Sequence, residues 1–283
     1  MSLLIGDIGG TTSRWAWISP PDRVVRTKDL PGYNPTTGDP AAMQAGLRGA
    51  GLEDGDNAEP LNVIVYGAGC GTKERALRMH AALTDIWPGS QIEVKSDLLG
   101  AARALYGNDH GLVLILGTGM NAGHYDGTHL HLPMPSLGHV LGDEGSGADI
   151  GKHLLRDALY GQMPADLVAM LFPNGMDLPS ILERIHRSAA PQAYLASFTA
   201  RLADQLTDTY AHDLIVSRFF ALTRILAHFF SAQEYQEVRA IGSVAFGFQG
   251  ILQEALAHRR MNLTSVQHDP MPGLVKYHAV AMR

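Results

Sequence analysis

Close to the N-terminus, a carboxylate, two glycines and two threonines follow one another in Asp7-Ile8-Gly9-Gly10-Thr11-Thr12-Ser13. The preceding stretch, Leu3–Ile8, is apolar enough for a buried strand, and the two glycines permit a tight turn into the next one. Successive backbone N–H groups in such a turn point at one spot and can hold phosphate oxygens; Gly9, Gly10, Thr11 and Thr12 are the candidates here. An ionised Asp7 beside a polyphosphate would repel it, and a Mg2+ ion between the two resolves that repulsion. An ordinary β-hairpin with Asp as a turn residue accounts for Gly-Gly equally well.

Two further glycine turns carry similar chemistry. Gly117-Thr118-Gly119-Met120-Asn121 closes another apolar strand, and Gly242-Ser243-Val244-Ala245 joins a strand to a helix, a place suited to phosphate or adenosine. Each is weak alone, and together they point to a nucleotide. They match neither a P-loop nor a dinucleotide fingerprint. Gly151-Lys152 has serine at 146 and histidine at 153, and Gly117-Thr118-Gly119 runs into Ala122 and a hairpin, not a helix.

Asp97 follows a predicted strand and precedes an apolar helix. That position suits a helix cap, shared with Ser96, or a general base that takes the proton from an alcohol during phosphoryl transfer. Gly142-Asp143-Glu144-Gly145-Ser146-Gly147 places two carboxylates between glycines ahead of a helix. The helix dipole favours acids there, but the glycines cost backbone entropy that something must offset, and carboxylates bind sugar hydroxyls well. His129 and His131 share a predicted strand face without a third metal ligand nearby, and His139 precedes the acidic loop.

The elements that must position these groups alternate. Strands are predicted over 3–8, 14–19, 24–26, 63–66, 92–95, 112–116 and 238–241, and helices over 41–49, 73–83, 98–106, 181–187, 194–206, 214–230, 244–258 and 271–282. Pro20-Pro21-Asp22 reads as a turn, 31–39 as a loop, 51–60 as a polar surface loop, and 124–132 as a hairpin turning at Asp126-Gly127. This is an α/β pattern, with a meander opening near Leu3 and a second strand–hairpin set near Leu112 that suggest two related halves. A net charge of −6 with interspersed signs gives no basic stripe for nucleic acid and no polybasic run for a membrane. The single cysteine, Cys70, excludes an internal disulfide or a multi-cysteine metal site within one chain. The apolar runs are too short to cross a bilayer and no leader pattern opens the chain, so a cytoplasmic location is expected.

Asp7–Ser13, residues 96–102, 116–121, 138–151 and 241–245 together resemble the BadF/BadG/BcrA/BcrD-type ATPase family, and within it the N-acetylglucosamine kinases of the actin-like sugar kinase superfamily. The likeness spans nearly the whole chain, including Asn34-Pro35 and 271–278, and Gly-Asp-Glu-Gly-Ser-Gly is its most specific part. The resemblance implies two actin-like (ribonuclease H-like) lobes, 1–106 plus 270–283 and 107–269, with an interdomain ATP/sugar cleft, and a homodimer. It implies ATP and Mg2+, with Asp7 toward the metal, Asp97 as base, and Gly242, Ser243 and Ala245 toward adenosine. Asn34, Asn121, Gly138 and Asp143 would bind an amino sugar, with N-acetylglucosamine, phosphorylated at its 6-hydroxyl, ahead of glucosamine and N-acetylmuramic acid. Family members often have serine where Met120 stands, and the animal enzymes have tryptophan where Leu137 stands; both positions bear on which sugar is taken.

Two other functions fit the family less well. Its dehydratase activators hold an iron–sulfur cluster with cysteines, and a dimer of this chain would offer two. Sugar-sensing regulators on this fold carry a DNA-binding domain, for which a first strand beginning at Leu3 leaves no room ahead, and Asp7, Asp97 and Asp143 are all present for a kinase.

Overall fold

A computed structural model describes residues 3–19, 23–35, 38–52 and 60–281. The expected turn at Pro20-Pro21-Asp22 and most of the expected 51–60 loop lie outside them. The chain divides into two compact units, Met1–Asp109 with Pro270–Arg283, and His110–Asp269.

The first unit is built on β1 (Leu3–Ile8), β2 (Thr12–Ser19), β3 (Arg23–Pro31), β4 (Asn62–Gly67) and β5 (Gln91–Ser96), in the order β3-β2-β1-β4-β5. The β1–β2 and β2–β3 pairs are antiparallel, and β1–β4 and β4–β5 are parallel. Parallel neighbours need a crossover, which α2 (Lys73–Thr84) supplies between β4 and β5, while α1 (Pro40–Arg48) lies between β3 and β4. β3 is longer than its apolar stretch suggests: as an edge strand it carries Lys28 and Asp29, charges that discourage pairing with another chain.

β1 is apolar on both faces because both are covered. Leu4 and Ile8 join Trp15, Trp17, Val63, Val65 and Met79 on one side. Leu3 and Ile5 join Ala16, Ile18, Tyr66, Met271 and Leu274 on the other. Each such side chain contributes about 1.5–3 kcal/mol on burial. The second face is closed by α3 (Asp97–Tyr106) and by the last helix of the chain, α12 (Met271–Ala281), which pack on each other. A buried polar chain ties them to β4: Arg103 donates to the Tyr66 hydroxyl (2.9 Å), which lies 2.8 Å from Nε2 of the buried His278. Burial, and then the Arg103 charge, push His278 down to about 4, so the ring is neutral.

The second unit repeats the plan. β6 (Gly111–Leu116), β7 (Met120–Tyr125), β8 (Leu130–His131), β9 (Val238–Ile241) and β10 (Leu263–Gln267) run in the order β8-β7-β6-β9-β10, again two antiparallel pairs followed by two parallel ones. Its helices are α4 (Gly138–Leu141), α5 (Gly147–Leu159), α6 (Ala165–Leu171), α7 (Leu178–Arg187), α8 (Pro191–Ala200), α9 (Thr209–Phe229), α10 (Ser243–Gly247) and α11 (Gln249–Ala257). The helix expected over 194–206 stops at Ala200 and resumes as one 3-10 turn, Ala203–Gln205. The helix expected over 244–258 is two, because Phe248 leaves helical backbone (φ −119°, ψ 29°) with its ring buried. β10, a short and half-exposed strand, had no expectation at all.

Candidate active site

In the first unit the candidate residues gather at the carboxyl ends of the parallel strands. Ile8, Gly67 and Ser96 are register partners across β1, β4 and β5. The strand ends beside Asp7 and Asp97 are therefore two strand spacings apart, about 10 Å. The turn after β1 is closed by Gly9 N–H to Thr12 carbonyl (2.9 Å) and stapled by the segment after β3, where Gly32 N–H donates to Thr11 and Tyr33 N–H to Gly9 (both 3.0 Å). Gly32 was not among the expected site residues. A Cβ there would lie 2.2 Å from the Gly9 carbonyl oxygen and 2.6 Å from the Thr12 nitrogen, so only glycine lets this segment clamp the turn. Asn34 faces the turn after β4, where a Cβ on Gly69 (φ +77°) would come within 3.0 Å of its Oδ1.

The two readings of Asp97 separate here. Ser96 is the cap, its hydroxyl accepting from the Leu99 N–H (3.3 Å), and Asp97 is the first helical residue, its Oδ1 accepting from the Leu98 N–H (2.8 Å). The half-buried carboxyl is crowded by protein, and burial pushes it up to about 6 against the opposing pull of the Leu98 and Asp97 amides. A carboxyl held near 6 is poised to accept a proton at neutral pH. Cys70 sits close by, buried, its thiol pushed up to about 11 by burial and then by the Asp97 charge, and is not a nucleophile.

In the second unit Gly117-Thr118-Gly119 is the hairpin turn between β6 and β7, closed by Gly117 N–H to Gly119 carbonyl (3.0 Å). The start of α5 grips it: Gly147 N–H donates to Gly117 (2.8 Å) and Ala148 N–H to Thr118 (3.0 Å). Gly242 adjoins the same turn with φ +122°, and a Cβ there would lie 2.5 Å from the Leu116 carbonyl oxygen. Ser243 opens α10 and Ala245 is buried within it. The acidic loop comes to this turn as well. Asp143 has φ +62°, a left-handed conformation that Asp tolerates better than most residues, and its carboxylate accepts from the Met120 N–H and lies against Gly119. Burial raises the Asp143 pKa, with the Met120 amide opposing. Asn121 is the next residue along β7, and Gly138 (φ +70°) opens α4 beside the loop, accepting from the Gly142 N–H at 2.8 Å. Met120 buries its side chain in the core of the unit, so its backbone faces Asp143 while its side chain does not; Leu137 is exposed.

Asp149 was overlooked. It reads as an ordinary first-turn acid, yet it is buried and held by Arg218 Nε (2.7 Å), His153 Nδ1 (3.3 Å) and the Gly145 N–H (3.0 Å). Burial alone would raise its pKa; the hydrogen bonds from His153, Arg218 and Gly145 outweigh that and bring it down to about 2. The expected histidine pair does not share a strand face. His129 is in the turn, its N–H bonded to Asp126, whereas His131 lies on β8 with Glu234 at 3.1 Å. Among the described residues no group of three His, Cys, Asp or Glu could hold a metal, and no helix is long and apolar enough to cross a membrane.

Two units with one strand order, and glycine turns at the strand ends of each, define the class: this is the two-lobe, actin-like fold of sugar kinases. A protein from Porphyromonas gingivalis named "Putative N-acetylglucosamine Kinase" superposes with a TM-score of 0.88, is 32% identical, and is matched over 99% of this chain and 100% of its own. The chain belongs to the family that this protein represents. A protein of the same name from Chromobacterium violaceum matches with a TM-score of 0.73 and 20% identity over 98% of each chain. A ROK family glucokinase from Streptomyces griseus, solved with glucose and AMPPNP, matches with 0.63 and 17% over 99% of each. Neither a family model nor a curated protein sequence matches the chain.

Proposed function

We propose that the chain is an ATP-dependent kinase that transfers the γ-phosphoryl group to a hydroxyl of an amino sugar, with the 6-hydroxyl of N-acetylglucosamine as the acceptor. The observation that carries this is Asp97, a half-buried carboxyl at a strand end whose pKa stands near 6 and which is not consumed as the helix cap. In this role Asp97 accepts the proton of the acceptor hydroxyl as that oxygen attacks phosphorus. The first unit would also supply Gly9, Gly10, Thr11 and Thr12 to the phosphates. The turns at 117–119 and 242–245 would serve phosphate and adenosine, and Asn34, Asn121, Gly138 and Asp143 the sugar.

Mg2+ is usually held by one or two carboxylates together with phosphate oxygens and water, and a single strand-end carboxylate, Asp7, fits that donor set. When bound, the ion neutralises phosphate charge. The family of the P. gingivalis protein supports the sugar-kinase assignment, and the motifs that resemble the BadF/BadG group support the closer affiliation.

An ADP-coupled assay over a panel of amino sugars tests this. We expect sugar-dependent ADP release, greatest with N-acetylglucosamine, and a fall in turnover of about 10²-fold or more in Asp97→Asn. No release with any sugar refutes the kinase; near-normal turnover in Asp97→Asn refutes the base.

A further inference from the structure

The acceptor loop is anchored from behind by a buried charge pair. Asp149, on the first turn of α5, is 2% exposed. One of its oxygens accepts both the Gly145 N–H (3.0 Å) and Arg218 Nε (2.7 Å); the other faces Arg218 Nη2 (3.4 Å), His153 Nδ1 (3.3 Å) and Lys152 Nζ (3.7 Å). Arg218 arrives from α9, sixty-nine residues away. The same helix presses on the loop, because a Cβ on Gly145 would meet Phe219 and Leu222 at 3.2 Å. The loop needs such support. Gly145 (φ +77°) adopts left-handed backbone freely, but Asp143 (φ +62°) carries a Cβ, and for such a residue the conformation persists only where the surroundings over-determine it. Fixing Gly145 fixes the direction of Asp143, two residues earlier, whose carbonyl also accepts the Ser146 N–H (3.0 Å).

A buried ion pair is a poor way to gain stability, since desolvation offsets its attraction; it is a good way to fix a geometry. We propose that Asp149 and Arg218 are positioning residues for the acceptor. By holding the Gly145 N–H they set the loop so that the Asp143 carboxylate meets the Met120 N–H and Gly119 and is presented to the sugar. The role rests on the kinase proposal for its substrate but not for its mechanics. It predicts that breaking the pair weakens the acceptor more than the nucleotide, because the turns at 9–12 and 242–245 have no contact with the pair and the 117–119 turn is also held by its own Gly117 N–H to Gly119 bond.

The test uses the full-length chain with Asp149→Asn, Arg218→Met and the milder Arg218→Lys. It measures KM for sugar and for ATP separately, and amide hydrogen exchange over residues 142–148. We expect KM for the sugar to rise about 10-fold or more in Asp149→Asn and Arg218→Met, KM for ATP to stay within about threefold, and Arg218→Lys to recover part of the loss. Exchange over 142–148 should quicken in the first two. Sugar KM unchanged in a folded variant, or both KM values rising together, overturns the proposal. If the wild-type chain phosphorylates no sugar, the kinase proposal fails alone, and hydrogen exchange still decides: unchanged protection over 142–148 in folded variants overturns the positioning role. Should Asp149→Asn not fold, Arg218→Lys carries the same two readouts.

Discussion

The starts of α3 and α5 are built alike and behave oppositely. Each helix opens on a serine cap, Ser96 and Ser146, and each carries an aspartate in its first turn, Asp97 and Asp149. Asp97 has backbone amides for company and is pushed up to about 6 by burial. Asp149 is the less exposed of the two, at 2%, but His153, Arg218 and the Gly145 amide bring it down to about 2. Depth in the protein does not decide what a carboxylate becomes. The presence of a fixed cation makes an anchor of one, and its absence leaves the other able to take up a proton near neutral pH.

Removing the anchor should have the largest effect. Asp149→Ala leaves the part-buried Arg218 without its partner, and we expect a loss of about 3 kcal/mol in denaturant unfolding at pH 7, the low end for an enclosed pair. A loss below about 1 kcal/mol would show that the pair is loosely formed. The anchor also has a pH signature. With a folded pKa of about 2 against an unfolded value near 3.8, its contribution is complete above roughly pH 4 and fades as pH falls through 2, a difference that wild type minus Asp149→Asn should trace.

The base should show the reverse sign. A folded pKa of about 6 means that ionising Asp97 opposes folding as pH rises from about 4 through 6. Asp97→Asn should therefore be more stable than wild type by about 1–3 kcal/mol above pH 6 while nearly inactive, with the gain vanishing below pH 4. Equal stabilities across that range would mean that the carboxylate titrates normally and is paired after all. The smallest effect belongs to the caps: Ser96→Ala should cost about 1 kcal/mol, and the fully buried Ser146 no less.

The sequence displays this contrast only in part. Strand ends show themselves where an apolar run stops at glycine, which makes Asp7 and the three turns stand out as candidates, whereas Asp97 stands out by its place between a strand and an apolar helix. Whether Asp97 or Ser96 caps the helix needed coordinates, since both residue types suit the position. Asp149 gave no local signal: its partner is sixty-nine residues away, and an acid in a first helical turn has a sufficient explanation in the dipole. Gly32 was hidden for the same reason, because the atoms it avoids belong to the Gly9–Thr12 turn rather than to its neighbours. The break at Phe248 is likewise tertiary, as burial of one ring interrupts an otherwise helical pattern.

The placement of α12 has a consequence for how the protein is made. Leu3, Ile5, Ala16, Ile18 and Tyr66 precede Met271 and Leu274, in the helix that shelters them, by the whole of His110–Asp269. That sheet must wait, with this face covered only by α3, while the whole of His110–Asp269 is synthesised and can fold as an uninterrupted stretch. During translation this face of the sheet is thus open to sticking and to proteases until α12 arrives.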